Sequence, residues 1–146
     1  MLTFLIAATL LSWGAWGIFD KLAVARTHPL VVQLYGSLVS LAFLPVYLWV
    51  LRREGVPLGW PAGAGAWIAL ASVTGVLGLV AFVYALKLGS ATYVIGVTAA
   101  YPVVSLLLAR LFLGEPLTVS KVAGIVLVSA GLYALHLGEQ ASGRPG

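Results

Sequence analysis

Two short stretches of the chain carry aromatic and polar side chains that could bind a ligand. The first, SWGAWGIFDKLA, begins at Ser12. A helix with 3.6 residues per turn places two tryptophans, a glycine and an aspartate of this stretch on one face, with a second glycine and a lysine beside it. Indole rings next to glycines can form a slot with exposed ring faces, although tryptophans also anchor helices at a membrane surface. The pathway candidates here are Trp13, Gly14, Trp16, Gly17 and Lys21.

The lysine of this stretch has a second interpretation. Lys21 and its neighbour Asp20 stand at the end of the apolar run, where a lysine can extend its ammonium to the surface as a simple anchor. An ionisable residue inside a membrane is a candidate for function. Lys21 is therefore either a pathway residue or an anchor.

The second stretch surrounds a proline in an apolar run. Pro102 has no N–H, so it leaves the carbonyl of Thr98 without its helical partner and kinks the helix. In hydrocarbon, such a carbonyl needs a neighbour or cavity water. A kinked helix rich in hydroxyls suits the wall of a moving, water-filled cavity, although purely structural kinks also occur. The pathway candidates here are Thr98, Tyr101, Pro102 and Ser105.

Other chemistry has little support in the sequence. The two histidines stand apart and there is no cysteine. We therefore expect no metal, no cofactor and no enzymatic activity, because neither a metal-ligand cluster nor a nucleophile–base pair can be assembled. The net charge of +4 is scattered, with no basic run of the kind that binds nucleic acid.

The composition indicates an integral membrane protein. Hydrophobic residues make up 62% of the chain and charged residues only 8%, whereas soluble domains carry about a quarter charged residues. The apolar run from Leu2 to Phe19 lacks a positive leading segment and is too long for a typical signal peptide, so we interpret it as a retained span.

The fold class predicted is all-α, with five transmembrane helices, because a span needs about 20 apolar residues. A membrane domain of residues 1–137 precedes a short polar tail at 138–146, expected to be disordered. A Gly- and Pro-rich loop from Gly55 to Gly63 follows the second span. The five spans are about Leu2–Val24, Leu30–Leu51, Ala64–Leu86, Ala91–Leu113 and Val119–Leu137.

Small residues and one turn suggest how the helices pack. Glycines in the third and fifth spans recur at helical spacing, which permits close approach of helices in lipid. We expect Glu115, before the fifth helix, to fasten that turn, with Thr118 or Ser120 as the N-cap. The candidates for helix packing or a dimer contact are Gly75, Gly78, Gly124 and Gly131.

The positive charges give almost no preference for one orientation in the membrane. Five spans put the two termini on opposite faces, and four cations fall on each face. Either the first helix alone decides the orientation, or copies insert both ways and pair antiparallel. The two sets are Arg52, Arg53, Arg110 and Lys121 against Lys21, Arg26, Lys87 and Arg144.

These motifs resemble the EamA branch of the drug/metabolite transporter superfamily. The likeness rests on WGAWGIFDKLA in the first span and on the stretch from Ala85 to Leu135, with its Ala-Leu-Lys turn, helix proline, Leu-x-Gly-Glu turn and Gly-rich last helix. It covers all five spans, and the second span is the least distinctive. Pro116 departs from the family pattern, which has Arg or Lys after the turn glutamate.

The resemblance implies more than the residues do. Family members usually have ten spans in two inverted five-span repeats, so this chain looks like one repeat, completed by an antiparallel homodimer. It implies a secondary transporter that moves an amino acid, amine, nucleoside or sugar by alternating access. The partners would be membrane lipid and a small-molecule substrate, in the cytoplasmic membrane of a bacterium or archaeon.

Two other functions remain open at this point. The chain could be a membrane assembly subunit that does not transport, or one half of a heteromeric transporter. A small-multidrug-type exporter, which exchanges protons for cations through a carboxylate in the middle of its first helix, fits less well. The four acids stand at helix ends or outside the spans, at Asp20, Glu54, Glu115 and Glu139.

Overall fold

The chain is built from consecutive α-helices. The computed structural model describes residues 1–59 and 63–141, and within these ranges it contains seven α-helices and no β-strand. The predicted all-helical fold class is confirmed. The helices are α1 (Leu2–Val24), α2 (Pro29–Leu41), α3 (Leu44–Arg53), α4 (Gly65–Leu88), α5 (Ala91–Thr98), α6 (Tyr101–Leu113) and α7 (Val119–Ala141).

Five helical segments are long and apolar enough to cross a membrane, as predicted. Helices α2 and α3 together form the second segment, and α5 and α6 form the fourth. The segments are Leu2–Val24, Pro29–Arg53, Gly65–Leu88, Ala91–Leu113 and Val119–Ala141. The last helix continues past the predicted end at Leu137, so the polar tail begins inside a helix. Residues 60–62 of the predicted loop and residues 142–146 of the tail lie outside the described residues.

The fourth span is interrupted just before Pro102. Helix α5 ends at Thr98 and α6 begins at Tyr101, so the proline takes the second position of the new helix. Proline fits there because the first N–H groups of a helix have no intrahelical partner. In the break, the Ala100 N–H donates to the Val97 carbonyl at 3.0 Å, a tight three-residue turn. The sequence predicted a kink at this proline, and the break is its structural form.

The second span is interrupted in the same way, which the sequence analysis missed. Helix α2 ends at Leu41 and α3 begins at Leu44, with Pro45 in its second position. The Phe43 N–H donates to the Ser40 carbonyl at 3.1 Å, closing a similar turn. The cause is again a missing N–H, because Pro45 cannot donate to the carbonyl of Leu41.

Large apolar side chains face outward along the spans. Leu11 is 77% exposed, Leu77 is 64% exposed and Leu127 is 73% exposed. Soluble monomers rarely expose such extended apolar surface, because water would drive it to associate. Hydrocarbon solvates it at little cost, so the outward faces of these helices suit lipid.

One compact unit of the chain comprises Phe19–Lys87. Its core lies where the end of α1 meets the end of α4, and Val24, Val83 and Leu86 are 0% exposed there. Beyond α1, His28 caps α2: its Nδ1 accepts the N–H of Leu30 at 3.2 Å.

The other compact unit comprises Met1–Ile18 together with Leu88–Gly146. In it, α5 packs against α7. The two helices approach closely at Gly96, where a Cβ atom would lie 2.6 Å from Cδ1 of Leu135. A larger residue at position 96 would therefore force the end of the Leu135 side chain to move.

The turn between α6 and α7 is closed by polar contacts. Gly114 ends α6 in the left-handed region, with φ of 66°, where a residue without a Cβ is favoured. Lys121 donates its Nζ to Glu115 Oε2 at 2.8 Å, and the Lys121 N–H reaches Thr118 Oγ1 at 3.3 Å. That Glu115 stabilises this turn stays a prediction. Lys121 is the residue to which it would hold the turn.

Candidate functional site

The aromatic and glycine candidates of the first span lie on α1 with different exposures. Trp13 is 58% exposed and Trp16 is 39% exposed, so both indoles offer ring surface to their surroundings. Gly14 is also exposed, whereas Gly17 is buried. The face therefore has one covered glycine and two partly open rings.

The candidates of the fourth span gather around the break between α5 and α6. Thr98 stands on the last turn of α5, and its hydroxyl donates to the Val94 carbonyl at 2.8 Å. Tyr101 opens α6 and is 57% exposed, and Ser105 follows one turn later, also exposed. Pro102 is half-buried. The break thus places a phenol and a hydroxyl on one face of α6 next to an interrupted backbone.

Whether the two sets of candidates line one cavity stays a prediction. The pathway candidates on α1 and those on α5 and α6 stand on different helices, and each set forms its own local group. Among residues 1–59 and 63–141, no group of three or more His, Cys, Asp or Glu side chains could hold a metal ion. The chemistry available to these candidates is therefore binding by ring faces, hydroxyls and backbone.

Lys21 is engaged by the end of another helix. Its Nζ donates to the Leu86 carbonyl of α4 at 2.6 Å. In return, Lys87 of α4 donates its Nζ to the Val24 carbonyl of α1 at 2.5 Å. Carbonyls in the last turn of a helix lack intrahelical donors and carry the negative end of its dipole, so a lysine there is favoured twice. We call this arrangement the reciprocal lysine pair, Lys21 and Lys87.

The reciprocal lysine pair bears on the two interpretations of Lys21, as a pathway residue or as an anchor. A pathway role for Lys21 would require its ammonium to leave or share the Leu86 carbonyl. Lys87 was counted only among the cations of one membrane face, and the sequence did not predict its contact with α1. The sequence offered the two lysines near helix ends, but nothing in it indicated that each reaches the other's helix.

A second polar cluster was missed altogether. The Tyr93 hydroxyl of α5 lies 3.1 Å from Nδ1 of His136 on α7, and Gln140 Nε2 lies 2.8 Å from the other ring nitrogen. The Tyr93 and His136 rings are 5.9 Å apart between centroids and tilted by 36°. The four-residue spacing of His136 and Gln140 could have suggested half of this cluster. The Tyr93 contact depends on α5 packing on α7.

The glycine candidates for packing face open space. A Cβ atom added at Gly75 or Gly78 on α4 would meet no atom within 4 Å, and the same is true at Gly124 and Gly131 on α7. These faces are therefore not used by the helices of their own unit.

Comparison with known proteins gives the family. The model of the EamA-like transporter family matches residues 1–137. The chain belongs to the EamA-like transporter family. That family is part of the drug/metabolite transporter superfamily, so the predicted family is confirmed, and the chain is a multi-pass membrane transporter of this type. Members of the family are generally not enzymes.

A curated relative has a similar extent. The chain is 28% identical over 129 residues to the uncharacterized protein MJ1333.1 of Methanocaldococcus jannaschii. The match covers 86% of this chain and 88% of the relative. Because nearly all of the relative is covered, it too has about the length of a single five-span unit. No solved structure matches the chain.

Proposed function

We propose that this EamA-family protein carries a small metabolite across the membrane by alternating access, as an antiparallel homodimer whose subunits insert in opposite orientations. The substrate would belong to the amino acids, amines, nucleosides or sugars. The observation that carries the proposal is the family match over a unit of five spans. An odd number of spans can complete an inverted pair only if a second unit enters the membrane the other way round.

The open glycine faces support a second copy as the partner. Lipid gives helices no hydrophobic reason to associate, so association relies on close backbone packing at small residues. Gly75 and Gly78 on α4, and Gly124 and Gly131 on α7, have that character, and within the described part of its own unit each has open space within 4 Å of where a Cβ would lie. A second subunit seated on either face would give these glycines the contacts they lack.

The two broken spans supply the moving parts. Substrate sites in secondary transporters use interrupted helices, because free backbone groups there can bind polar ligands and the halves can move separately. The breaks fall at residues 42–43 and 99–100. Tyr101 and Ser105 follow the second break on α6 and would bind polar groups of the substrate, while Trp13 and Trp16 would stack against its apolar or ring surfaces.

Uptake into proteoliposomes tests the function. We would reconstitute the purified chain and follow labelled leucine, putrescine, uridine and glucose, one probe from each class. At least one probe is expected to enter, and Trp16→Ala and Tyr101→Ala should each lower its uptake about tenfold, since 1.4 kcal/mol of lost binding is a factor of ten. Trp49→Ala and Tyr35→Ala are the controls, because both rings are also exposed, at 60% and 63%, but stand on helices that carry no pathway candidate.

The same experiment separates the alternatives. If none of the four probes enters, the chain is not a carrier of these substrate classes by itself, which favours an assembly subunit. If a probe enters only when a second, different half-size protein is reconstituted with the chain, the transporter is heteromeric. If the Trp16 and Tyr101 variants match the two controls, the candidate pathway is wrong.

A further inference from the structure

The cluster of Tyr93, His136 and Gln140 is a side-chain network with a titratable group at its centre. Both ring nitrogens of His136 have a neighbour within hydrogen-bond distance, the Tyr93 hydroxyl at 3.1 Å and the Gln140 amide at 2.8 Å. The imidazole is half-buried. Histidine is the side chain whose charge ordinarily changes near physiological pH. None of the pathway candidates described above belongs to this network.

The partners of His136 can serve both of its charge states. A neutral imidazole has one N–H donor and one acceptor, whereas a charged imidazole donates from both nitrogens. The Tyr93 hydroxyl can donate or accept, and the Gln140 amide can turn to present its oxygen or its nitrogen. Neither state therefore leaves a ring nitrogen unsatisfied, which is the requirement for a site that takes up and releases a proton repeatedly.

The position of the network gives the proton a route to water. His136 stands within two turns of the end of α7 at Ala141, about 8 Å along the helix at 1.5 Å per residue. Gln140, nearer that end, is exposed. Tyr93 belongs to the first turn of α5. A proton can pass from bulk water on that side to the imidazole without crossing the apolar length of the span.

The network also reaches the broken span. Tyr93 stands on α5, the short helix that precedes the break at residues 99–100. When His136 is neutral, Tyr93 can donate to it, and when His136 is charged, the imidazole donates to Tyr93 instead. The bond between α7 and α5 is stronger in the charged state, because hydrogen bonds from charged donors are stronger than neutral ones. Protonation therefore biases how firmly α5 is held on α7.

We propose that His136 binds the proton that drives transport, with Tyr93 transmitting its charge state to α5 and Gln140 facing the water. This inference rests on the proposed function, because a coupling proton needs a carrier to drive. The proton would enter from water at the Ala141 end of α7 and leave to water on the opposite side when the transport cycle exposes the site there, so no further reactant is needed. The other titratable groups around His136 are Tyr93 on α5 and, on its own helix, Glu139 and Tyr133.

Proton binding is tested first without any substrate. The chain has only two histidines, so a ¹⁵N-imidazole NMR spectrum in nanodiscs contains two side chains, and His28→Asn assigns them. Asparagine keeps the helix cap that His28 provides. The His136 signal should change reversibly as the pH is varied, as proton uptake by the ring requires, and its response to pH should differ in Tyr93→Phe, which lacks the hydroxyl that contacts the ring. A His136 signal that is constant with pH would overturn the proposal.

Coupling is tested next in proteoliposomes, with whichever of leucine, putrescine, uridine or glucose the wild type moves. One direction of a one-unit pH gradient should drive wild-type accumulation of up to about tenfold for one proton per substrate. His136→Asn should abolish this accumulation, and His28→Asn, the same change at the other histidine, should retain it. Tyr93→Phe, which removes one oxygen, should shift the pH profile of uptake.

The outcomes separate the two proposals. If His136→Asn accumulates the probe as wild type does, or if no pH gradient drives wild-type uptake, the proton site is refuted while the carrier function stands. If wild type moves no probe, the carrier function fails and the coupling role fails with it. Circular-dichroism melts of each variant in the same lipid identify any variant that has lost its fold, and Tyr93→Phe then decides in place of His136→Asn.

Discussion

Each lysine of the reciprocal pair neutralises the end of a helix other than its own. An isolated ammonium at the end of a span would remain hydrated, with little effect on stability. Here Lys21 and Lys87 bond to the Leu86 and Val24 carbonyls next to side chains that are fully buried. The contacts therefore join two helices that are distant in sequence, beside the buried apolar side chains of that unit.

Replacing either lysine by methionine should destabilise the protein. The substitution keeps the apolar stem and removes a charged donor, so Lys21→Met and Lys87→Met should each lower the free energy of unfolding by about 1–2 kcal/mol. Lys121→Met is the control: its partner, Glu115, and Lys121 itself are 48% and 39% exposed, and an exposed ion pair contributes less than about 1 kcal/mol. Denaturant unfolding in mixed micelles would measure this. Equal effects at Lys87 and Lys121 would contradict the assigned role.

Residue-level contacts mark the limit of what could be predicted from the sequence. The break at Pro102 and the turn at Glu115 depend on neighbours in the chain, so local rules were enough to expect them. The contact between Tyr93 and His136 joins two helices 43 residues apart. The two histidines stand apart in the sequence, so His136 looked isolated. Its contact with Tyr93 becomes visible only when the packing of α5 on α7 is known.

At the level of helices, the two interrupted spans have the same local design. Each has a three-residue turn followed by a helix with proline in its second position, at Pro45 and at Pro102. The sequence analysis weighed Pro102 because hydroxyl residues surround it, and it overlooked Pro45, which stands nearer the end of its span. The physics that breaks the helix is the same at both sites, so polar surroundings are no guide to where a break occurs.

The break at Pro102 is expected to set the rate of exchange. Pro102→Ala restores an N–H that can bond to the Thr98 carbonyl, adding about 1 kcal/mol to the continuous helix. If α5 must move relative to α6 during transport, exchange of the transported probe should slow about fivefold. Pro29→Ala is the control, because that proline begins α2 and interrupts no span. An unchanged rate in Pro102→Ala, measured by counterflow, would mean that the break is architectural.

For the whole molecule, the balance of charge is the property that makes an antiparallel dimer possible. A chain with a strong excess of lysine and arginine at one end would insert one way only. Here four lysines or arginines fall on each membrane face, so removing one or two of them should be enough to fix the orientation. The open glycine faces can form an antiparallel dimer contact only if chains of both orientations are present in the same membrane.

Two oriented variants should therefore be inactive apart and active together. Arg52→Gln with Arg53→Gln leaves two cations against four and should hold the C-terminus in the cytoplasm, whereas Arg26→Gln with Arg144→Gln should hold it outside. Reporters fused after Gly146 measure each orientation, and wild type should report from both sides. Both variants lose two arginines, so any effect of the lost charge alone should be the same in the two.

Transport by these variants tests the pairing itself. An antiparallel dimer cannot form from chains that all insert the same way, so either variant alone should lose uptake and co-expression should restore it to near the wild-type level. A dimer of parallel subunits, or a monomeric carrier, would instead remain active in each variant separately. Full activity of a variant with a single measured orientation would therefore exclude the antiparallel pair, and it would do so without knowledge of the natural substrate.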